Sequence, residues 1–199
     1  MKIVVSLLSS FVLFAVLIVS CDTSQAPPTT VEEKEPLAFN APQPEYTVTV
    51  TEAELASPRK ELKGQLNGVN ITIDYGSPST KGRAIWGSLV PYGEVWRTGA
   101  NEATRFTIDK TVLVGEAELA AGTYSLFTIP TEKEWEIIFN KVVDQWGAYE
   151  YDNTKDVLRV PAQPVSVDSS STTLEFRLAP GKIVMQWDKL ILPIPLTEA

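Results

Sequence analysis

The sequence predicts an all-β chain: a single antiparallel β-sandwich, jelly-roll or immunoglobulin-like, with two long loops. Three observations predict it. Apolar residues alternate at period two through much of residues 46–199, and turn signals recur at short intervals between the alternating runs. No stretch of that region carries an apolar stripe at the 3.6-residue period of a helix.

The chain opens differently. Ile3 to Val19 is apolar except for Ser6, Ser9 and Ser10, follows one positive charge at Lys2, and ends at Ser20-Cys21. A charged start, an apolar stretch and a small residue before the break are the parts of an export signal. The stretch falls short of the roughly 20 apolar residues that a spanning helix needs. A cysteine at the break resembles a lipoprotein processing site, so residues 1–20 read as a signal peptide and Cys21 as the acylated (palmitate-bearing) N-terminus. Several buried acyl chains hold a protein on a membrane far more firmly than one. The expected place is therefore the cell envelope, on a bacterial membrane, with the outer membrane favoured and the leaflet open. Residues 21–45 read as a tether: Pro27, Pro28, Pro36, Pro42 and Pro44 accompany a Glu32-Glu33-Lys34-Glu35 cluster, a composition with little to bury.

From Tyr46 the strands follow in order. Tyr46 to Thr51 alternates Thr and Val, and Glu52 to Leu55 has room for one helical turn at most. Asn67-Gly68 is a type I′ hairpin signal joining a strand near Lys60 to Leu66 with Val69, Ile71, Ile73 and Tyr75. Phe106 and Ile108, then Val112 to Val114, continue the pattern up to a turn at Gly115. Thr123 to Ile129 ends at Pro130, and Trp135 to Phe139 follows. Val157 to Val160 and Val165 to Val167 read as short strands separated by Pro161 and Pro164. Leu174 to Leu178 alternates, Pro180-Gly181 turns, and Ile183 to Trp187 and Leu190 to Ile194 close the chain.

Composition excludes several chemistries. The formal charge is −8, from 17 basic and 25 acidic residues, and loss of Lys2 makes it more negative still. Such a chain has no electrostatic reason to bind nucleic acid, whose affinity rests on phosphate neutralisation. There is no histidine, which removes Ser-His-Asp catalysis and imidazole ligation. Cys21 is the one cysteine, so the domain is expected to lean on packing alone, with no thiol nucleophile, cofactor or metal.

Two segments break the strand rhythm: 76–102, GSPSTKGRAIWGSLVPYGEVWRTGANE, and 141–155, KVVDQWGAYEYDNTK. Both combine Gly with Trp and Tyr, and loops of this length in a compact domain often carry function. The strings YGSPSTKGRAIWGSLVPYGEVWRTGANEAT, LAAGTYSLFTIP, WEIIFNK and DQWGAYEYDNTKDVLRV resemble a bacterial family known as domain of unknown function 2911, over residues 55–196. The resemblance implies an exported β-protein and carries no activity and no site residues.

Four constellations offer chemistry. Trp86, Tyr92 and Trp96 in the first loop, with Trp146, Tyr149 and Tyr151 in the second, can stack on sugar rings, and Arg97, Asn101, Glu102 and Asp144 can fix orientation. Against that stands packing, the commoner use of aromatics in β-domains. Lys81, Arg83, Arg97 and Arg105 among glycines suggest an anion pocket, against internal pairing of Arg97 with Glu94 or Glu102. Glu94, Glu102 and Asp144 offer an acid and base for glycoside hydrolysis only at a suitable separation. Asp152, Asn153 and Asp156 offer oxygen ligands for calcium, against a turn that starts the next strand. The balance points away from an enzyme and to a binding module for a glycan or small polar ligand. The ligand residues are expected to be Arg83, Trp86, Tyr92, Trp96, Arg97, Asn101, Glu102, Asp144, Trp146 and Tyr149. The alternative is an assembly module contacting another envelope protein, with a carboxylate hydrolase behind both.

Overall fold

The computed structural model describes residues 43–199. The segment read as a signal peptide, Cys21 and most of the segment read as a tether lie outside the described residues. Eleven strands form: β1 (Tyr46–Glu52), β2 (Arg59–Leu66), β3 (Val69–Gly76), β4 (Thr104–Ile108), β5 (Val112–Val114), β6 (Ala117–Leu119), β7 (Gly122–Ile129), β8 (Trp135–Asn140), β9 (Asp156–Ala162), β10 (Val165–Ala179) and β11 (Lys182–Glu198). They build two antiparallel sheets, one of seven strands in the order β1-β2-β3-β4-β7-β8-β9 and one of four in the order β10-β11-β5-β6. The architecture is the β-sandwich that alternation predicted. Among the described residues no helix is long and apolar enough to cross a membrane.

Hairpin chemistry sets the register. Asn67 and Gly68 both take positive φ (51° and 75°), as a type I′ turn requires, and Leu66 pairs with Val69 across it. From there pairing runs without slip to Arg59 opposite Gly76. Leu62, Ile71, Ile73 and Tyr75 thus face the second sheet, while Glu61, Lys63, Thr72 and Asp74 face outward.

Some of the sequence expectations differ from the structure. The two runs around Val165 and Leu174 are one strand, β10, and the two around Ile183 and Leu190 are one strand, β11. Register shifts in their pairing, with Asp188 at φ 51°, let the long ladder bend without breaking. Prolines do not end these strands: Pro161 lies in β9, an edge strand, and Pro193 and Pro195 lie between the part of β11 that pairs with β10 and the part that pairs with β5. Strand β6 follows the Gly115-Glu116 turn, too short to alternate recognisably. After Glu52 the chain bends with no helical turn, within the limit of one turn read from the sequence, and a 3-10 turn forms at Asn153–Lys155.

The main core lies between the sheets. A second, small cluster of Ala103, Phe127 and Ile138 lies on the other face of the large sheet, covered by Val95, Ile129, Ala148 and Tyr151.

Candidate functional site

The first long segment is built into the sandwich wall. Thr80 N–H donates to Thr172 C=O and Leu174 N–H to Pro78 C=O, which ties its start to β10. Trp96 and Thr128 exchange both backbone bonds at 2.8 Å, which ties its end to β7. Between these seams the segment carries two tryptophans inward. Trp86 meets Trp135 at 4.9 Å between ring centroids and Trp187 at 5.8 Å, and Trp96 stacks on Trp187 at 6.1 Å. Trp135 and Trp187 are each 1% exposed and Trp96 is 8% exposed. These four rings fill one end of the core. Trp96 Nε1–H donates to Gly99 C=O at 3.1 Å, so its polar edge is satisfied inside. The inward rings of Trp86 and Trp96 do the packing that competed with ligand stacking in the sequence. Tyr92 lies over Gly87, and Arg83 donates to the carbonyls of Ser79 and Thr80, so both serve the local turn.

The second long segment points its aromatics the other way. Trp146 is 59% exposed and Tyr149 is 85% exposed. The loop beneath them is anchored: Ala103 N–H donates to Gln145 C=O at 3.0 Å and Gly147 N–H to Asn101 C=O at 3.0 Å. Ala148 and Tyr151 pack on the small outer cluster, with the Tyr151 and Phe127 rings 4.9 Å apart. Two exposed rings thus stand on a fixed base, on the outer face of the large sheet.

Charged residues meet at the same place. Arg59, 4% exposed, pairs with Asp74 at 2.7 Å and Glu102 at 2.9 Å. Arg105 reaches Asp74 at 3.5 Å and Asp144 at 2.6 Å. These outer-face side chains of β2, β3 and β4 knit residues 102 and 144 of the two loops to the sheet. Glu102 therefore goes to Arg59, and Arg97 has no carboxylate within ion-pairing distance among the described residues. Burial pushes the Arg97 pKa down, and the Tyr149 phenol offsets this only in part.

Between Arg97 and Glu102 the backbone is strained. Thr98 and Asn101 sit at φ 49° and 62°, and a β-branched residue is rarely found there. The strain is held by neighbours. Thr104 Oγ1–H donates to Thr98 C=O at 2.9 Å, Thr98 bonds Thr128 through their hydroxyls at 3.2 Å, and Asn101 Nδ2–H donates to Ser57 C=O at 3.2 Å. Such outliers persist where the surroundings over-determine them, and they cluster at functional sites.

Of the residues singled out in the sequence, the structure gathers Arg97, Asn101, Glu102, Asp144, Trp146 and Tyr149, and leaves Arg83, Trp86, Tyr92 and Trp96 elsewhere. Arg59 and Asp74 were not singled out. The hairpin register at Asn67-Gly68 held the signal, because it sets Arg59 diagonal to Asp74 on the polar face. Asp152 accepts from the Thr154 backbone N–H at 2.9 Å and caps the 3-10 turn. Asp156 accepts from Asn140, Tyr151 and Arg159. Asp152 and Asp156 thus build the turn and strand start weighed against calcium. A cavity of about 930 Å³, open to solvent, lies at the opposite end of β2 and β3, around Asn67, Asn70 and Gly181. No polar group sealed without a partner lines it, so the loop site carries the argument.

Comparison with known proteins adds a family and no activity. No curated protein and no solved structure matches the chain. The model of the family described as "Protein of unknown function (DUF2911)" matches residues 57–196, from just before β2 into β11 and across both long segments, and the chain belongs to that family.

Proposed function

We propose that this protein is a non-catalytic binding module of the cell envelope that takes a glycan or small polar ligand on its second long loop. The observation that carries the reading is the outward pair Trp146 and Tyr149, in a chain whose other four tryptophans lie in one core cluster. Large aromatic faces turned to water on an anchored loop suit the apolar faces of sugar rings. The two nearby carboxylates, Glu102 and Asp144, are each engaged by an arginine, an arrangement that builds the loop and favours binding over general acid–base work. The membrane attachment rests on the sequence before residue 22: acylated Cys21 holds the module in the envelope.

Calorimetric titration of the full chain with neutral and charged glycans tests the binding. Saturable binding that weakens about 10-fold or more in both Trp146→Ala and Tyr149→Ala, with the thermal midpoint unchanged, is the expected result. Exposed aromatics contribute little to folding, so a large drop in midpoint would instead mark them as structural. Cys21→Ser should move the protein from the membrane to the soluble fraction.

A second reading rests on β1. It is an edge strand, all seven of its residues are exposed, and Tyr46, Val48 and Val50 line one side of it with no charge between 46 and 51. Such an edge suits strand addition by another envelope protein. Val50→Lys should abolish that contact and leave glycan binding intact.

A further inference from the structure

We infer that the ligand carries a carboxylate and that Arg97 receives it, so that the loop selects acidic sugars of the uronic-acid kind over neutral ones. This rests on the binding reading above and deepens it.

The first argument is an asymmetry among the arginines. The chain has six. Arg59 and Arg105 hold carboxylates, Arg159 holds Glu136 and Asp156, Arg83 holds two backbone carbonyls, and Arg177 holds Gln186. Among the described residues the side chain of Arg97 alone makes no hydrogen bond and no ion pair, and its Nε is buried. Acidic residues outnumber basic ones by 25 to 17, so carboxylates are not scarce. The nearest in sequence, Glu94, is exposed and forms no ion pair with Arg97, while Glu102 is taken by Arg59 and Asp144 by Arg105. A half-buried guanidinium left without a protein partner loses the stabilisation that pairing would give it. That loss is expected at a site whose partner arrives from outside.

The second argument is position. A Cβ built on Gly147 would lie 3.9 Å from Arg97 Nη1 and 3.0 Å from Cε2 of the Tyr149 ring. The Tyr149 ring therefore lies against Gly147 with the Arg97 guanidinium close by. Gly147 has φ 67° and no side chain, which lets the ring lie that close. A ring stacked on Tyr149 or Trp146 would bring a substituent to Arg97. The strained Thr98–Asn101 turn holds this arrangement before any ligand comes, which lowers the ordering cost of binding.

The third argument is charge. The guanidinium fork matches the two oxygens of a carboxylate. A single unpaired guanidinium balances one negative charge, and a chain of net charge −8 disfavours taking up a dianion. Carboxylate therefore fits better than phosphate.

The test is calorimetric titration of the full chain with glucuronic and galacturonic acid, singly and as trimers. Glucose, galactose, their neutral trimers and glucose 6-phosphate run beside them. The acidic sugars should bind about 10- to 100-fold tighter than the neutral ones, the range expected of a charge-assisted pair. Arg97→Gln should remove that difference. Arg97→Lys should restore only part of it, because an ammonium cannot fork. Raising the salt should weaken the acidic sugars alone. Equal binding of acidic and neutral sugars would overturn the inference and leave the binding module standing. Glucose 6-phosphate binding tighter than glucuronic acid would replace the carboxylate with a phosphate and overturn it too. Binding of none of these sugars would remove both readings. The comparison of sugars on the unaltered protein decides the matter even if a variant at Arg97 fails to fold.

Discussion

At the scale of single residues, Arg97 sets function against stability. Its Nε is buried without a partner, so the charge opposes folding while the aliphatic stem supports it. Arg97→Met keeps the stem and drops the charge. The thermal midpoint of that variant should rise by about 2–4 °C, the equivalent of about 1 kcal/mol in a domain of this size, measured by calorimetry. A lower midpoint would show that the guanidinium is structural. Gly76 is the opposite case. A Cβ there would lie 2.1 Å from the Ala100 carbonyl oxygen, backbone against backbone. Gly76→Ala should therefore cost about 3 kcal/mol or more in denaturant unfolding, because neither the strand nor the strained turn can retreat.

At the scale of elements, the two long segments have different employment. The first closes the end of the sandwich, and its tryptophans are part of the core. Trp135→Ala, which removes the ring that both Trp86 and Trp96 contact, should cost about 3–5 kcal/mol and quench much of the near-ultraviolet circular dichroism. The second segment stands on the outer face and can be altered at its tip with little loss. The β2–β3 hairpin offers a cleaner measure of conformation alone. Gly68 has φ 75°, and a Cβ there meets only Lys110 Nζ at 3.6 Å. Gly68→Ala should cost about 1 kcal/mol, from the left-handed backbone and not from a clash.

At the scale of the whole molecule, stability should be flat near neutrality and fall at both ends of the pH range. Bonds from Asn70 hold the Asp109 carboxyl below its ordinary pKa, and bonds from Thr154 do the same for Asp152. Their contribution is present above the unfolded carboxylate pKa of about 4 and is lost as pH falls through the folded values. At the other end, burial raises the Tyr75 phenol, helped by the charge of Glu175, and burial with Asp156 raises Tyr151. The unfolded chain then loses these protons first, so stability falls once pH passes about 10. Midpoints measured across pH should show that alkaline limb, and Tyr75→Phe should flatten it.

Much of this was legible in the sequence because it depends on near neighbours. Alternation gave the sandwich, Asn67-Gly68 gave a turn and through it a register, and the break in rhythm located both long segments. The joining of residues 165–179 and 182–198 into two long strands was not legible. A proline reads as a stop, and only the sheet order shows where its missing N–H does no harm. Nor did the sequence distinguish the aromatics of the two segments. Trp86, Trp96, Trp146 and Tyr149 stand in similar company of Gly and polar residues, and a loop has no periodicity to assign a face. Their directions follow from what the two sheets leave uncovered. The open end of the sandwich takes in Trp86 and Trp96, while the outer cluster around Phe127 has room for Ala148 and Tyr151 and turns Trp146 and Tyr149 to water. The sequence by itself determined the fold class, the turns and the polar and apolar faces of the strands, because these follow from contacts a few residues apart. Which charges pair, which arginine is left without a partner and which rings meet solvent were decided by the tertiary structure, because each depends on groups that only the packed sheets bring within a few ångströms.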